Sequence, residues 1–351
     1  MKVGVLGATG MIGQHTAHAL VARGHTLAVL HRASSDLSVL KGLPFERRQV
    51  DIDDTGGFAA QLRGLDGLIH CAGYYPTVPA PWRAEVATAL AQMTRVLDAA
   101  QAAKLARIVY VGAAIALPKG AGDPARGDEA LSYATNPPDR APYVQVKWAM
   151  DKLARERAAA GLPLSIAIPA MCFGEYDRGP TTGRLITDIA NHKLRAYIRG
   201  NRNVVYTGDA ARGIALVLER GRPAERYLLT GTDVSMDELV PLIARLAYVP
   251  PPTRVAPLWL AKALGKIQEL RYTRFHGPLP TLSSTAIAVL ASGQFLDGSK
   301  AGRELGYEPE VSLEDAIRRA LDWFLAEGYV ARERPAAPRP PPNMHTASPP
   351  A

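Results

Sequence analysis

The sequence predicts an α/β fold built on a doubly wound parallel sheet. Short apolar segments rich in β-branched residues alternate with longer segments of helical periodicity through the first 170 residues. Three glycines spaced three residues apart follow the first apolar segment, Val3–Leu6, and open the first helical pattern. Such sustained alternation is typical of βαβ units, whose helices cover both faces of a parallel sheet.

The first turn has the spacing Gly-x-x-Gly-x-x-Gly, which in this strand–helix context predicts a Rossmann-type dinucleotide site. Gly7 permits the tight turn, Gly10 lets a pyrophosphate approach the backbone, and Gly13 lets the helix pack close to the strand. The N–H groups and the positive end of the helix then face the phosphates. The cofactor-binding candidates of this turn are Gly7, Thr9, Gly10, Met11, Ile12 and Gly13.

The second strand ends at His31-Arg32 and not at a carboxylate. An acid at this point binds a free ribose 2′-hydroxyl, whereas a guanidinium pairs with a 2′-phosphate. Arg32 therefore favours NADP(H) as the cofactor, with NAD(H) as the alternative.

The third and fourth strands add further cofactor contacts. The third closes on Asp51-Ile52, where the acid can accept a hydrogen bond from an adenine amino group. The fourth ends at Ala72-Gly73, whose small side chains let a cofactor lie across the carboxyl edge of the sheet. His70 lies inside the apolar run, which predicts a core histidine with its hydrogen bonds satisfied.

Tyr143 and Lys147 open the helix that follows the fifth strand and a Gly/Pro/Asp-rich loop over residues 118–142. Four residues of helix place the two side chains on one face. An ammonium near a phenol favours the phenolate and lowers the phenol pKa, and the same lysine can bind a nicotinamide ribose. The pair is therefore the predicted catalytic site, and Pro169, at the end of the sixth strand, is the last cofactor candidate.

The remaining predictions concern the boundaries of the elements and lobes. We predict strands at 27–30, 45–50, 65–72, 107–112, 164–169 and 204–206, and helices at 56–63, 83–103, 143–160, 209–220, 235–247 and 312–326. Residues 1–170 form the predicted NADP(H)-binding domain. Residues 171–330 form a smaller mixed α/β substrate lobe, some of whose segments return to the sheet. Residues 331–351 are Pro/Ala-rich and predicted to be disordered.

The composition excludes several classes of protein. Cys71 and Cys172 give neither a disulfide framework nor a metal-binding spacing, so we expect no metal site and a reducing, cytoplasmic location. No apolar run is long enough to cross a membrane. The net charge of +8 comes from scattered arginines, which does not indicate a nucleic-acid partner.

A basic amphipathic segment over residues 255–271 has two interpretations. Leu260, Leu264 and Ile267 recur at helical spacing, with Lys262 and Lys266 between them. Such a helix can lie on a membrane surface, which would give peripheral membrane contact. The favoured interpretation is a lid packed on its own protein.

These motifs together resemble the extended short-chain dehydrogenase/reductase superfamily, and within it the dihydroflavonol-reductase-like and hopanoid-associated sugar epimerase-like group. The resemblance rests on the glycine turn, on Asp51-Ile52 and on Tyr143-x-x-x-Lys147, with further support from Gly179–Ile186, Glu225–Gly231 and Arg303–Tyr307. It implies a Rossmann fold, a nicotinamide cofactor, a small-molecule carbonyl substrate and a homodimer through the helices at 83–103 and 143–160.

Two positions depart from that family. The resemblance implies a catalytic serine or threonine where this chain has Ala113, and an asparagine where it has Ala89. A methyl group cannot donate a hydrogen bond to a substrate carbonyl, so we expect another donor from the neighbouring loops. The candidates are Tyr74, Tyr75, Ser132, Tyr133 and Thr135.

The leading functional hypothesis is an NADPH-dependent oxidoreductase that reduces a ketone on a small, lipophilic substrate, with Tyr143 as general acid. One alternative is an NAD-dependent nucleotide-sugar epimerase or dehydratase, in which the arginines of residues 178–202 bind a diphosphate. Another is a catalytically weak NADP(H)-binding partner protein, a hypothesis kept open by Ala113 and Ala89.

Overall fold

The structure is a computed structural model that describes residues 1–54, 57–76, 78–280 and 283–331. The strands are β1 (Lys2–Leu6), β2 (Thr26–His31), β3 (Phe45–Gln49), β4 (Gly67–His70), β5 (Arg107–Val111), β6 (Arg126–Gly127), β7 (Leu164–Pro169), β8 (Met171–Phe173), β9 (Ala196–Tyr197), β10 (Asn201–Tyr206), β11 (Arg226–Leu229), β12 (Thr232–Ser235), β13 (Arg254–Val255) and β14 (Phe295–Leu296). The helices are α1 (Met11–Ala22), α2 (Phe58–Gln61), α3 (Trp82–Ala102), α4 (Pro142–Ala159), α5 (Arg184–Ala190), α6 (Thr207–Arg220), α7 (Met236–Leu246), α8 (Leu258–Phe275), α9 (Ser284–Ser292), α10 (Ser299–Leu305) and α11 (Leu313–Ala326). The predicted disordered tail lies, apart from Ala331, outside the described residues.

Seven parallel strands form the central sheet, in the order β3-β2-β1-β4-β5-β7-β11. The doubly wound α/β fold predicted from the sequence is confirmed. The direction of winding reverses between β1 and β4, and in such sheets a ligand binds at the carboxyl ends of the strands beside this reversal.

Helices cover both faces of the sheet. On one face α3 and α4 pack together over the sheet through Met93, Val96, Val146 and Met150. On the other face α1 packs against α6, and their apolar side chains meet β1, β2 and β5. Burial on both faces explains why the central strands read as continuous apolar runs and not as alternating ones.

Residues beyond 170 contribute both to the sheet and to a smaller lobe. Strand β11 pairs with β7 as the seventh strand, and α6 and α10 pack on the sheet. The lobe itself contains the three-stranded sheet β12-β10-β8 with α5, α7 and α11 around a core that includes Phe173, Leu239 and Phe324. Helix α7 begins with a capping box, in which Ser235 and Glu238 satisfy each other's backbone N–H groups.

The loop over residues 118–142 is pinned to the C-terminal half of the chain. Strand β6 inside it pairs with β14, a short strand that the sequence did not predict. The side-chain amide of Gln294 donates to the Pro118 carbonyl at 3.1 Å and accepts from the Gly120 N–H at 2.7 Å. These contacts fix the loop beside the beginning of α4.

Helix α8 lies on the surface, and its apolar side chains do not pack inward. Only Ala261 and Gly265 of this helix are buried, whereas Trp259 is 70% exposed and Ile267 is 56% exposed. The expectation that the apolar stripe packs on the protein is therefore wrong, since small residues make the contact instead. No described helix is both long enough and apolar enough to span a bilayer.

Candidate active site

The glycine turn between β1 and α1 has the geometry that a dinucleotide pyrophosphate needs. Gly7 has a φ of +88°, and a Cβ there would lie 2.8 Å from the backbone nitrogen of Ala72. A Cβ on Gly13 would lie 2.0 Å from the Gly7 carbonyl oxygen. Both positions therefore require glycine for the turn to close.

Gly10 differs from the other two glycines because the turn itself does not need it. A Cβ on Gly10 would meet only the Gly7 carbonyl oxygen, at an ordinary 3.6 Å. Helix α1 begins directly after Gly10, with no side-chain cap and no acidic residue in its first turn. The exposed glycine surface and the uncapped N–H groups fit a phosphate approaching the helix N-terminus.

The side chains next to Gly10 in sequence pack mainly against the hydrophobic core and not toward the phosphate site. Met11 and Ile12 are half-buried and pack against the hydrophobic clusters of the sheet, and Thr9 is half-buried at the turn. Their contribution to a bound phosphate would come from the backbone.

Arg32 lies directly after β2, at the carboxyl edge of the sheet. Its backbone N–H donates to Ser35 Oγ at 3.1 Å, and its exposed side chain makes no ion pair with any residue that the structure describes. The next acid, Asp36, accepts the Ser38 N–H at 2.9 Å and so caps a short 3₁₀ helix. The position therefore has a cation available and lacks an adjacent carboxylate, as a ribose 2′-phosphate requires.

The adenine-side candidates follow β3. Asp51 is exposed, and one carboxylate oxygen accepts the Asp53 N–H at 2.9 Å, leaving the other for a ligand. Ile52 packs against the core below it. Pro169 ends β7 beside Leu229 of β11, farther along the same edge.

Tyr143 and Lys147, near the start of α4, lie beside the residues that follow β4. Proline occupies the first turn of α4, where its missing N–H leaves no hydrogen bond unmade. Gln145, fully buried, donates to the Pro137 and Asp139 carbonyls and so holds the preceding loop on the helix. Tyr143 lies two residues before Gln145 and Lys147 two residues after it. The two side chains lie together, with Lys147 Nζ 5.6 Å from the centroid of the Tyr143 ring.

Gly73 provides the space that the lysine needs. A Cβ on Gly73 would lie only 2.9 Å from Lys147 Nζ. Lys147 is 8% exposed, and its ammonium finds no hydrogen-bond or ion-pair partner among the described residues. A buried cation without a partner is costly, which is the signature of a group whose partner arrives with a ligand.

Burial sets the proton affinities of this pair. It lowers the pKa of Lys147 to about 8. It also raises the pKa of Tyr143, with a smaller contribution from Tyr75. The expected lowering of the tyrosine pKa by lysine is wrong for this state, because loss of water around the phenolate outweighs an ammonium that lies over the ring face.

Two further polar side chains, His70 and Tyr110, are buried near Lys147 and Tyr143, and the sequence predicted a core position only for His70. Burial, reinforced by the Lys147 charge, lowers the pKa of His70 to about 4, so its imidazole is neutral at pH 7. His70 Nδ1 and the Tyr110 hydroxyl are buried without a partner among the described residues, and the two rings lie 5.8 Å apart. His70 is a core residue as predicted, but its hydrogen bonds are not satisfied. Both residues sit inside apolar runs, so periodicity gave no signal for them.

The structure separates the five candidate hydrogen-bond donors. Tyr75 packs against Tyr143, with the ring centroids 4.8 Å apart and the ring planes tilted by 51°. Tyr74 instead donates to Glu85 at 2.9 Å, and Ser132 Oγ accepts from Arg226 at 3.1 Å. The half-buried Tyr133 and the exposed Thr135 make no ring contact or hydrogen bond with Tyr143 in the described part of the chain.

Ala113 and Ala89, predicted to stand where the family has polar side chains, lie in different surroundings. Ala113 follows β5 and precedes a short 3₁₀ turn, and it is half-buried. Ala89 is fully buried in α3, among the apolar side chains of the sheet face.

The arginines of residues 178–202 are not gathered into an anion site. Arg178 donates to Gln14 and stacks on Tyr176 and Trp323. The others with partners are Arg184 on Asp188, Arg199 on Asp237, and the buried Arg202 on the Asn201 and Leu290 carbonyls. Arg195 lies apart, on a surface cavity with Arg254.

Comparisons with known proteins agree with this geometry. The family model described as "NAD dependent epimerase/dehydratase family" matches residues 3–229. A Synechocystis protein with the provisional name dihydroflavonol 4-reductase is 29% identical over 93% of this chain and 95% of its own length. Sterol demethylase protein B of Methylococcus capsulatus is 29% identical over 93% of this chain and 99% of its own.

A solved structure adds a closer match. The crystal structure of a nucleoside-diphosphate-sugar epimerase from Pseudomonas aeruginosa is 41% identical, with a TM-score of 0.81, and covers 94% of this chain and 99% of that one. The family match includes the glycine turn, the Tyr143–Lys147 pair and residues of all seven strands of the sheet. The chain therefore belongs to the NAD dependent epimerase/dehydratase family, a group of NAD(P)-dependent enzymes within the extended short-chain dehydrogenases/reductases.

Proposed function

We propose that this enzyme uses NADPH to reduce a ketone on a small lipophilic molecule. The observation that carries the proposal is the convergence of Tyr143, Lys147 and Gly73 at the edge where the glycine turn opens. A phenol and an ammonium with no competing partner among the described residues can serve a reacting oxygen and a ribose at once. The name of the Synechocystis relative, a reductase, agrees with this choice.

The cofactor supplies a hydride when bound, and the protein's own groups handle the oxygen and its proton. Tyr143 donates its hydroxyl proton to the oxygen of the carbonyl as negative charge develops there. Lys147 places a positive charge over the face of the tyrosine ring and so favours the phenolate that remains. Loss of bulk water from the site strengthens both interactions.

Tyr75 is the group that we assign as the second donor, in place of the hydroxyl absent at Ala113. Its ring is 45% exposed and packs on Tyr143, so its hydroxyl can reach a substrate held against that ring. We expect Tyr75→Phe to lower kcat by about a hundredfold, since one lost donor to a developing oxyanion costs that much. Tyr74→Phe is the matched control, because the Tyr74 hydroxyl is already bonded to Glu85. Equal effects of the two variants would contradict the assignment.

Arg32 determines the choice of cofactor in this proposal. Arg32→Ala should weaken NADPH binding by about 10- to 100-fold and leave NADH binding unchanged, because a charge-assisted hydrogen bond is worth about 1.5–3 kcal/mol. Isothermal titration calorimetry with both cofactors measures the change. The control is Arg47→Ala, which removes another exposed arginine, from the middle of β3. If NADPH and NADH weaken together in Arg32→Ala, the 2′-phosphate assignment is wrong.

An epimerase remains the second candidate, because the 41%-identical structure carries that name. The purified protein is incubated with NADPH and a panel of lipophilic ketones, and separately with NAD and nucleotide sugars. Net NADPH oxidation with a ketone supports the reductase. An interconverted sugar without net cofactor consumption replaces it with the epimerase, and cofactor binding with neither reaction identifies a binding protein.

A further inference from the structure

Helix α8 presents its apolar side chains away from the protein. Trp259, Ile267 and Leu270 are 70%, 56% and 58% exposed and share one face at helical spacing. Phe275, 72% exposed, is the last residue of the helix and lies outside this face. The opposite face, which contacts the protein, buries Ala261 and Gly265. A helix whose only role is packing on its own protein has the reverse polarity.

Four cations border this apolar stripe. Lys262 and Lys266 lie along one side of it, Arg271 lies along the other, and Arg274 lies near its C-terminal end. All four are exposed and make no ion pair within the described part of the chain. The single acid of the helix, Glu269, is turned toward the protein and accepts the Ser284 N–H at 2.6 Å.

We propose that α8 docks this enzyme on an anionic lipid membrane, with the stripe of Trp259, Ile267 and Leu270 among the acyl chains. An aromatic and aliphatic face bordered by lysine and arginine matches an anionic membrane, whose negatively charged headgroups cover an apolar layer of acyl chains. The long cationic side chains can reach the headgroups while their stems cover the apolar edge.

The same charges argue against a second copy as the occupant. A two-fold symmetric contact brings a patch against itself, so the four cations would face four identical cations. Like charges across an interface are repulsive, and α8 offers no exposed acid to offset them. A lipid surface supplies the missing negative charge.

Docking through α8 would place the membrane close to the candidate active site. Helix α8 packs on α9, and α9 packs on α4. Ala288 of α9 shares a small hydrophobic cluster with Val144, the neighbour of Tyr143 in the chain. A substrate dissolved in the bilayer would then have a short path to the site. The docking itself does not rest on the proposed reaction, because it is measured without substrate or cofactor.

Vesicle flotation with the full chain tests the proposal. We expect binding to phosphatidylcholine vesicles that contain phosphatidylglycerol and far weaker binding to phosphatidylcholine alone. The pair Lys262→Gln and Lys266→Gln should weaken binding by roughly 30-fold, about fivefold for each cation. The matched control removes two exposed lysines elsewhere, Lys41→Gln and Lys193→Gln, and should bind as the parent does.

Tryptophan fluorescence reports the depth of insertion. Trp259 should shift to shorter wavelength on anionic vesicles, and Trp259→Phe should remove that shift, since the other three tryptophans are half-buried. Ile267→Ser with Leu270→Ser should abolish binding while leaving the melting temperature unchanged, because both side chains are already exposed. Absence of binding by the parent, or equal binding by all variants, overturns the proposal. A concentration-dependent dimer lost in the serine variant would assign the stripe to a second copy instead.

Discussion

Tyr143→Phe is expected to lower kcat for ketone reduction by about 100- to 10,000-fold, the contribution of a positioned general acid. The phenyl ring keeps the packing against Tyr75 and the contact under Lys147, so the fold and the cofactor site should remain intact. Only the proton that reaches the substrate oxygen is removed. The measurement is steady-state NADPH oxidation, together with calorimetric NADPH binding to show that the cofactor site is unchanged.

The control for this substitution is Tyr248→Phe. Tyr248 follows α7 in the smaller lobe and is 48% exposed, so loss of its hydroxyl should leave both kcat and stability as they are. Unchanged turnover in Tyr143→Phe would remove this phenol from the chemistry. It would leave the docking of α8 untouched, because that surface contains neither residue.

Lys147→Met is expected to lower kcat/KM by about 100- to 1,000-fold and, at the same time, to stabilise the protein. Burial lowers the pKa of the lysine from 10.5 to about 8, which corresponds to roughly 3 kcal/mol held against the charged form. Methionine fills a similar volume without a charge. Lys147→Met should therefore lower activity while raising stability. This is the behaviour of a binding site in which a charged group is kept for its ligand at a cost to the fold.

The stability gain of Lys147→Met should depend on pH in one direction. Below pH 8 the folded parent holds a buried ammonium, and the full cost is present. Between pH 8 and 10.5 the folded lysine has lost its proton while the unfolded lysine keeps it, so the parent becomes more stable relative to the variant. Urea unfolding at several pH values measures the difference. A gap that stays constant or widens across this window would contradict the account.

Most of the sheet and the glycine turn could be predicted because local signals agree there. The spacing of Gly7, Gly10 and Gly13 specifies a strand, a turn and a helix within a dozen residues. The predicted strands from residue 27 to residue 169 match β2 to β5 and β7 within a few residues. The Tyr143–Lys147 pairing follows from helical spacing alone.

Other features depend on contacts distant in sequence and were missed for that reason. Strand β11 is short, and its place beside β7 is fixed by helices that precede and follow it. The direction of the Tyr143 pKa depends on how deeply the helix end is buried, which periodicity does not report. The outward orientation of α8 is another such feature, because this helix packs on α9 and buries only two small residues, Ala261 and Gly265.

The position of β11 determines where this protein can be truncated or joined to a relative in a chimaera. A truncation after residue 170 would remove β11, the strand that pairs with β7, and α6, the helix that covers one face of the sheet. It would expose an unpaired strand edge and a hydrophobic sheet face at the same time. Such a fragment would aggregate instead of binding nucleotide. Chimaeras that swap substrate preference must therefore carry residues 207–229 along with the amino-terminal half.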